Sequence, residues 1–287
     1  MVSANAQEQG SVVKVAVVQF DPKLGEVEKN TQSLIKLINH AFDQQAKLVV
    51  TPEMGTCGYV FENKEEAAQY AEAVPGGQTV MALEAVAAER GGYIVSGLME
   101  KDGDKLYNVA VLVGPEGFIG KYRKTHLWDV DKSLYEAGDL GYPVFDLPFG
   151  RIGMSICYDQ WFPEVSRIYA MQGVDIICNP TNWVVVPGMS TPENPAWAFI
   201  AMTQAHTNGV YMLCADRVGE ERGTTFGGTS CVLGLTGFVA GPMDGETEGV
   251  LVSDLDIDAG RVRMLSAVNH LHNDRRTDLY DKTLGYK

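Results

Sequence analysis

At 287 residues, with 45% hydrophobic and 21% charged side chains, the chain has the makeup of a globular protein of one large domain or two modest ones, which excludes a disordered, collagen-like or disulfide-built chain. Its formal net charge of −14 repels phosphate backbones and anionic lipid surfaces, so no nucleic-acid or membrane partner is expected and a small neutral or cationic ligand fits better. The five cysteines, an odd number spread along the chain, do not read as a paired extracellular framework and point to a reducing cytoplasm.

Residues 1–12 carry neither the basic nor the apolar stretch of a signal peptide and show no periodicity, so they are expected as a flexible lead-in. Residues 12–19 are a β-branched run that predicts a first strand, and residues 30–42 repeat apolar positions at helical spacing. KLVVT at 47–51 is a near-continuous apolar strand of the kind buried on both faces; it ends at Pro52, which leaves Glu53 just past the strand's C-terminal end. A helix over 78–90 closes at Gly91 and Gly92, and strands follow over 93–99, 107–113 and 118–122, the last two joined by the GPEG turn at 114–117.

Residues 123–148 read as loop. They lead to a strand over 151–157, a helix over 163–172, a strand over 174–179, a helix over 196–208 and a strand over 210–215. Strands over 229–235, 237–240 and 250–256 and a short helix over 258–265 complete the pattern. Strands alternating with helices, with no linker-like change of composition, predict a single α/β domain over 13–287. Crossover helices imply parallel strand pairs and the hairpins imply antiparallel ones, so the sheets should be mixed.

Three side chains lie at strand ends or in adjoining loops, where α/β folds place their sites. Glu53 in TPEMGTCGY is a carboxylate whose desolvation would suit it to proton transfer near neutrality, although an exposed turn glutamate is the plainer reading of the residue alone. Lys124 in GKYRKTHLW belongs to a cationic cluster in an acidic chain; such a cluster is ordinarily a solvated face, and its chemical use is a fixed positive charge for an oxyanion. Cys157 in GMSICYDQWFPE closes an apolar strand before a turn and a helix. Most free cysteines are small buried hydrophobes, but one on such an elbow can be reached by substrate, and the next backbone N–H points where an oxyanion would form. There is no GxSxG elbow, HExxH helix or CxxC pair, and His270 and His272 lack companion ligands, so no metal is expected.

Taken together and in order, these segments resemble the nitrilase, or carbon–nitrogen hydrolase, superfamily: PEMGTCGY its glutamate segment, GKYRKTHLWD its lysine segment and GRIGMSICYDQWFPE its cysteine segment. NPTNW at 179–183, DRVG at 216–219 and NDRRTDLY at 273–280 extend the resemblance from about residue 14 to residue 280. It implies a four-layer αββα sandwich of two mixed sheets with Glu53, Lys124 and Cys157 together at one end, and no cofactor. It also implies a homodimer or higher homo-oligomer built on the helices at 163–172 and 196–208 and on the tail, about 266–287.

The implied reaction is cysteine-dependent hydrolysis of a small linear amide through a thioester, with the Tyr158 backbone N–H as a further oxyanion donor. Asp131 falls where many members carry a substrate-positioning glutamate, and Glu136 is a nearby substitute. Tyr59 and Trp183 are candidates for shaping the substrate end, Trp183 alongside three valines that suggest an apolar wall. The Tyr158-Asp159 pair after the cysteine resembles the amidase branches rather than the Trp-Glu of true nitrilases. DQWFPE is similar to N-carbamoylputrescine amidases, which keeps a ureido substrate as the alternative; nitrile hydrolysis, acyl transfer and a catalytically silent binding module rank below it.

Overall fold

Residues 12–285 are described by the computed structural model, and two six-stranded sheets organise them. The first half of the chain forms β1 (Val12–Gln19), α1 (Val27–Asp43), β2 (Leu48–Val50), α2 (Lys64–Ala67), α3 (Gln78–Arg90), β3 (Tyr93–Asp102), β4 (Lys105–Gly114) and β5 (Gly117–Arg123). Then come α4 (Asp131–Leu134), β6 (Val144–Leu147), β7 (Gly150–Met154), α5 (Pro163–Met171), β8 (Ile176–Pro180), α6 (Ala196–Asn208) and β9 (Tyr211–Ala215). The chain ends through β10 (Glu220–Glu221), β11 (Thr224–Thr225), β12 (Cys231–Gly234), β13 (Gly237–Ala240), β14 (Gly249–Asp256), α7 (Ile257–Gly260) and α8 (Thr277–Leu284).

The sheets run β14-β1-β2-β3-β4-β5 and β13-β12-β9-β8-β7-β6, and both are mixed as expected. In each, three central strands pair in parallel and the outer strands pair antiparallel. The reason is the connections: helices cross over between the central strands, while short turns join β3 to β4, β4 to β5, β6 to β7 and β12 to β13.

Side-chain alternation sets the layers. Val13, Val15 and Val17 of β1 pack with Ile152, Met154 and Ile176 of the second sheet, while Ala16 and Val18 pack with Leu34 and Ile38 of α1 and Leu83 of α3. On the far side, Val165 and Tyr169 of α5 and Ala198 and Ala201 of α6 close the second sheet. The result is the αββα sandwich that the motif resemblance implied. β2 is buried on both faces, which is why its sequence is apolar without alternation. Among the described residues no helix is long and apolar enough to cross a membrane.

Several local expectations are corrected. The stretch at 123–148 holds β6 and the single turn α4, too short to leave a periodic signal. The helix expected over 258–265 is only α7, and α8 lies in the tail where no helix was expected. The strand expected over 151–157 stops at Met154: the Ser155 N–H still donates to the Cys178 carbonyl (3.0 Å), but the two N–H groups after it leave the ladder for side chains. Ile156 N donates to Asp159 Oδ2 (2.9 Å) and Cys157 N donates to Asn179 Oδ1 (3.0 Å). Of the expected lead-in at 1–12, all but Val12 lies outside the described residues.

Candidate active site

Glu53 leaves the end of β2 and is completely buried. Its Oε1 accepts from Asn108 Nδ2 (2.6 Å) and Lys124 Nζ (2.7 Å). Both donors come from one hairpin: Asn108 lies on β4, Lys124 follows β5, and the Lys124 N–H donates to the Asn108 carbonyl (2.9 Å). The hairpin reaches Glu53 across β3 because residue 97 is glycine, where an added Cβ would stand 2.5 Å from the Glu53 Cα. Lys124 Nζ also donates to Asp131 Oδ2 (2.9 Å), and α4 holds that carboxylate with a contact from the Trp128 N–H (3.3 Å).

Cys157 comes from the second sheet. It sits at φ 45°, a left-handed conformation uncommon for a side-chain-bearing residue, and starts the 3-10 turn Cys157–Trp161. Its Sγ donates to the Asn182 carbonyl beyond β8 (3.8 Å). Asp159 ties this elbow to the lysine segment. Its carboxylate accepts from the Ile156 N–H, from Tyr122 OH (2.8 Å), from Thr125 Oγ1 (2.9 Å) and from the His126 N–H (2.9 Å). Residues on both sides of Lys124 and the residue before Cys157 thus share one buried anion.

The charges are mutually dependent. Burial pushes the Glu53 carboxyl above its ordinary 4.5, with Lys124 opposing and Asp131 reinforcing the rise. Burial disfavours the Lys124 ammonium, yet Asp131, Glu53 and Cys157 more than offset it and hold the lysine well above its usual range. Burial raises the Cys157 thiol, the Glu53 charge raises it further, and Lys124 pulls the other way. The resting centre is therefore a protonated thiol beside a raised carboxylate and a permanent cation, an arrangement that calls for proton transfer at the moment of attack. If Glu53 must be ionised to accept that proton, activity rises with pH through its raised pKa. The acid limb of kcat/KM is then expected above pH 4.5, and Glu53→Gln is expected to lower kcat by about 10²–10⁴. An acid limb at or below the value of a free glutamate would remove Glu53 from the base role.

A cavity of about 40 Å³ opens at Cys157. All four tryptophans of the chain, Trp128, Trp161, Trp183 and Trp197, line it together with Tyr158. Trp183 and Trp197 stack with ring centroids 5.9 Å apart, and Tyr158 packs edge-on to Trp128 at 4.9 Å. Trp183 therefore lies at the cavity. Tyr59 lies on the carboxylate side instead: burial raises its hydroxyl pKa first, and Asp131 and Glu53 raise it further.

Glu136 is not part of this cluster, which corrects the expectation of a substitute for Asp131. Its side chain is about half exposed and faces Lys64 (3.9 Å), because the chain turns outward after α4. Asn108, Asp159 and Asn182 were not found from the sequence. A lone polar residue in a strand or loop carries no periodic or motif signal, and only the order of the family segments around them hinted at a role.

A family model described as carbon-nitrogen hydrolase matches residues 14–263. The chain belongs to the carbon–nitrogen hydrolase family. A protein of Pyrococcus abyssi named nitrilase is 44% identical over 269 residues, covering 94% of this chain and 99% of the relative. The N-carbamoylputrescine amidase of Solanum lycopersicum is 30% identical, covering 95% of each. Among solved structures, an amidase from Nesterenkonia sp. superposes with a TM-score of 0.79 at 25% identity, over 98% of this chain and 100% of that one. As a carbon–nitrogen hydrolase with this amidase-like sandwich, the chain is a hydrolase of the nitrilase superfamily.

Proposed function

We propose that this hydrolase cleaves a small linear amide to a carboxylic acid and ammonia, with Cys157 as nucleophile, Glu53 as proton shuttle and Lys124 as the cation that stabilises the oxyanion. The observation that carries the reading is the buried Glu53–Lys124–Asp131 cluster electrostatically coupled to a strained, partly reachable cysteine. Glu53 takes the Cys157 proton as sulfur attacks the carbonyl carbon, and the oxygen that gains the electron pair is held by Lys124 and the Tyr158 N–H. Protonated Glu53 then delivers the proton to the departing nitrogen, and ammonia leaves a thioester on Cys157. Water, deprotonated by Glu53, attacks the thioester carbon; the C–S bond breaks to release the acid, and Glu53 returns the proton to the Cys157 sulfur. Asp131 keeps Lys124 charged and oriented throughout, and no cofactor enters.

Nitrile hydrolysis is a second reading, favoured by the name of the Pyrococcus abyssi relative. Tyr158-Asp159 after the nucleophile supports the amide instead. A carbamoyl amine such as that named for the tomato relative ends in an ammonium, and among the described residues no Asp or Glu lines the cavity to receive it. Ammonia release from matched amides, nitriles and carbamoyl amines tests the reading. Turnover of nitriles with none of the corresponding amides would sink it.

The oligomer is proposed on the same footing. Met171 on α5, Phe199 on α6, and Leu265, Val268 and Leu279 in the tail expose apolar surface on one chain, which supports a homodimer through these elements. Sedimentation showing only monomer at micromolar concentration would contradict it. Five free, buried thiols support a reducing compartment, the cytoplasm in this reading.

A further inference from the structure

The cavity at Cys157 has two kinds of wall. One is aromatic and tied down: the Trp183 N–H donates to Asp216 Oδ1 (2.9 Å), the Trp183 ring stacks on Trp197, and the Trp197 indole N–H donates to Thr229 Oγ1 (2.9 Å). The other is aliphatic and comes from one short segment that supplies Val184, Val186 and Met189. Residues 186–190 form a turn closed on itself. The Val186 N–H donates to the Ser190 carbonyl (3.0 Å), the Ser190 N–H (2.9 Å) and the Met189 N–H (3.0 Å) donate to the Val186 carbonyl, and Gly188 makes the reversal at φ 76°. Met189 lines the cavity and is still 47% exposed, which places it where the cavity meets solvent. The surface inside is almost wholly apolar. The polar side-chain atoms of Asn182, Trp183 and Ser190 are buried beneath it, and among the described residues no Asp, Glu, Lys, Arg or His lines it.

Resting on the reading of Cys157 as the nucleophile of an amide hydrolase, we infer that Met189, carried by the turn at 186–190, sets the length of the apolar acyl chain that the enzyme accepts. The amide nitrogen must face Glu53 and Lys124, where it receives its proton, and neither of these nor Asp131 lines the cavity. The acyl chain, bonded to the same carbon, is thereby turned toward the cavity. At roughly 10–15 Å³ for each water-sized group, a cavity of about 40 Å³ takes about three, the carbons of a butanoyl chain beyond its carbonyl. The next carbon meets Met189. The aromatic wall cannot yield without losing its stacking and hydrogen bonds. Met189 can: its side chain is unbranched and about half in solvent, so shortening it lengthens the cavity without opening the core.

The test is a length series, the straight-chain amides from acetamide to hexanamide, on the wild type, Met189→Ala and Met189→Leu. In the wild type kcat/KM is expected to rise as far as butanamide and to fall beyond it, since one methylene in an apolar pocket is worth about tenfold or more. Met189→Ala should raise the ratio of hexanamide to butanamide by about tenfold or more, and Met189→Leu, of similar volume, should keep that ratio within about threefold of the wild type. A merely structural methionine would scale every length alike. An unchanged ratio in Met189→Ala therefore overturns the inference, as does a wild type that prefers hexanamide. If no amide releases ammonia, the amidase reading fails by itself, and a labelling series that needs only the thiol still reads the cavity. Alkyl methanethiosulfonates from methyl to hexyl pass their alkylthio group to Cys157: the sulfur loses its proton to buffer and forms the S–S bond as methanesulfinate leaves. Mass spectrometry of the Cys157 peptide should show labelling slow beyond the propyl reagent in the wild type, and beyond a chain longer by about one carbon or more in Met189→Ala. The same profile in both proteins, or labelling independent of length, overturns the inference.

Discussion

Cys157→Ala is expected to abolish turnover while leaving the fold intact. The side chain contributes one thiol to the edge of a cavity and weak contacts to the Asn182 carbonyl and Thr181, so its loss costs little packing. The elbow itself is held by backbone and side-chain bonds that alanine retains, among them the Cys157 N–H to Asn179. Left-handed backbone is no worse for alanine than for cysteine, and no strain is added. Stopped assays for ammonia together with a melting curve decide the matter, and residual turnover near the wild-type rate would falsify the nucleophile assignment.

Chemical labelling gives an independent view. Cys157 retains 9% of its surface, whereas Cys57, Cys178, Cys214 and Cys231 retain none. Iodoacetamide is therefore expected to modify Cys157 first in the folded protein, with the other four reacting on the timescale of unfolding. Earlier labelling of any of those four would contradict the exposure pattern.

Lys124→Ala is the other substitution with a large expected effect, and it should act twice. In the chemical step it removes one oxyanion donor, worth about 3–4 kcal/mol, so kcat should fall by about 10²–10³. In the folded state it leaves the Glu53 and Asp131 carboxylates facing one another in a buried site without their shared cation, a change on the order of 3–5 kcal/mol in stability. The two effects separate in a double variant. Adding Asp131→Asn relieves the repulsion, so stability should recover in part while kcat does not. A Lys124→Ala protein with normal kcat and raised KM would move the lysine from stabilising the transition state to binding the ground state.

The trio of Glu53, Lys124 and Cys157 was legible because each follows an apolar strand and because its three segments occur in a familiar order. Singly, each residue had a plainer explanation. Their partners were not legible. Asn108 is one polar residue inside β4, and nothing local distinguishes it from a surface position until β5 pairs with β4 and turns it toward Glu53. Asp159 marked only a branch of the family in the sequence, whereas its four donors come from segments up to 37 residues away. Asp131 falls at the family position and Glu136, five positions on along the same loop, was its substitute. The turn of α4 sent one into the site and the other to solvent.

By itself the sequence determined most of the strands and the crossover helices, the burial of β2 on both faces and the order of the three family segments, because apolar periodicity and motif order are local properties of the chain. Most exceptions were short: β6, α2, α4 and α7 have too few residues to show a period, and β7 ended early for a side chain far along the sequence; the eight-residue α8 in the tail was missed as well. Only the tertiary structure decided which charges meet and what surrounds the thiol. The Glu53–Lys124 bond spans 71 residues and the Cys157–Asn182 contact 25, and both depend on two sheets packing with their strand ends aligned. Burial at that junction raises the carboxyl and the thiol, keeps the lysine charged by surrounding it with anions, and gathers four tryptophans from four separate segments around one sulfur.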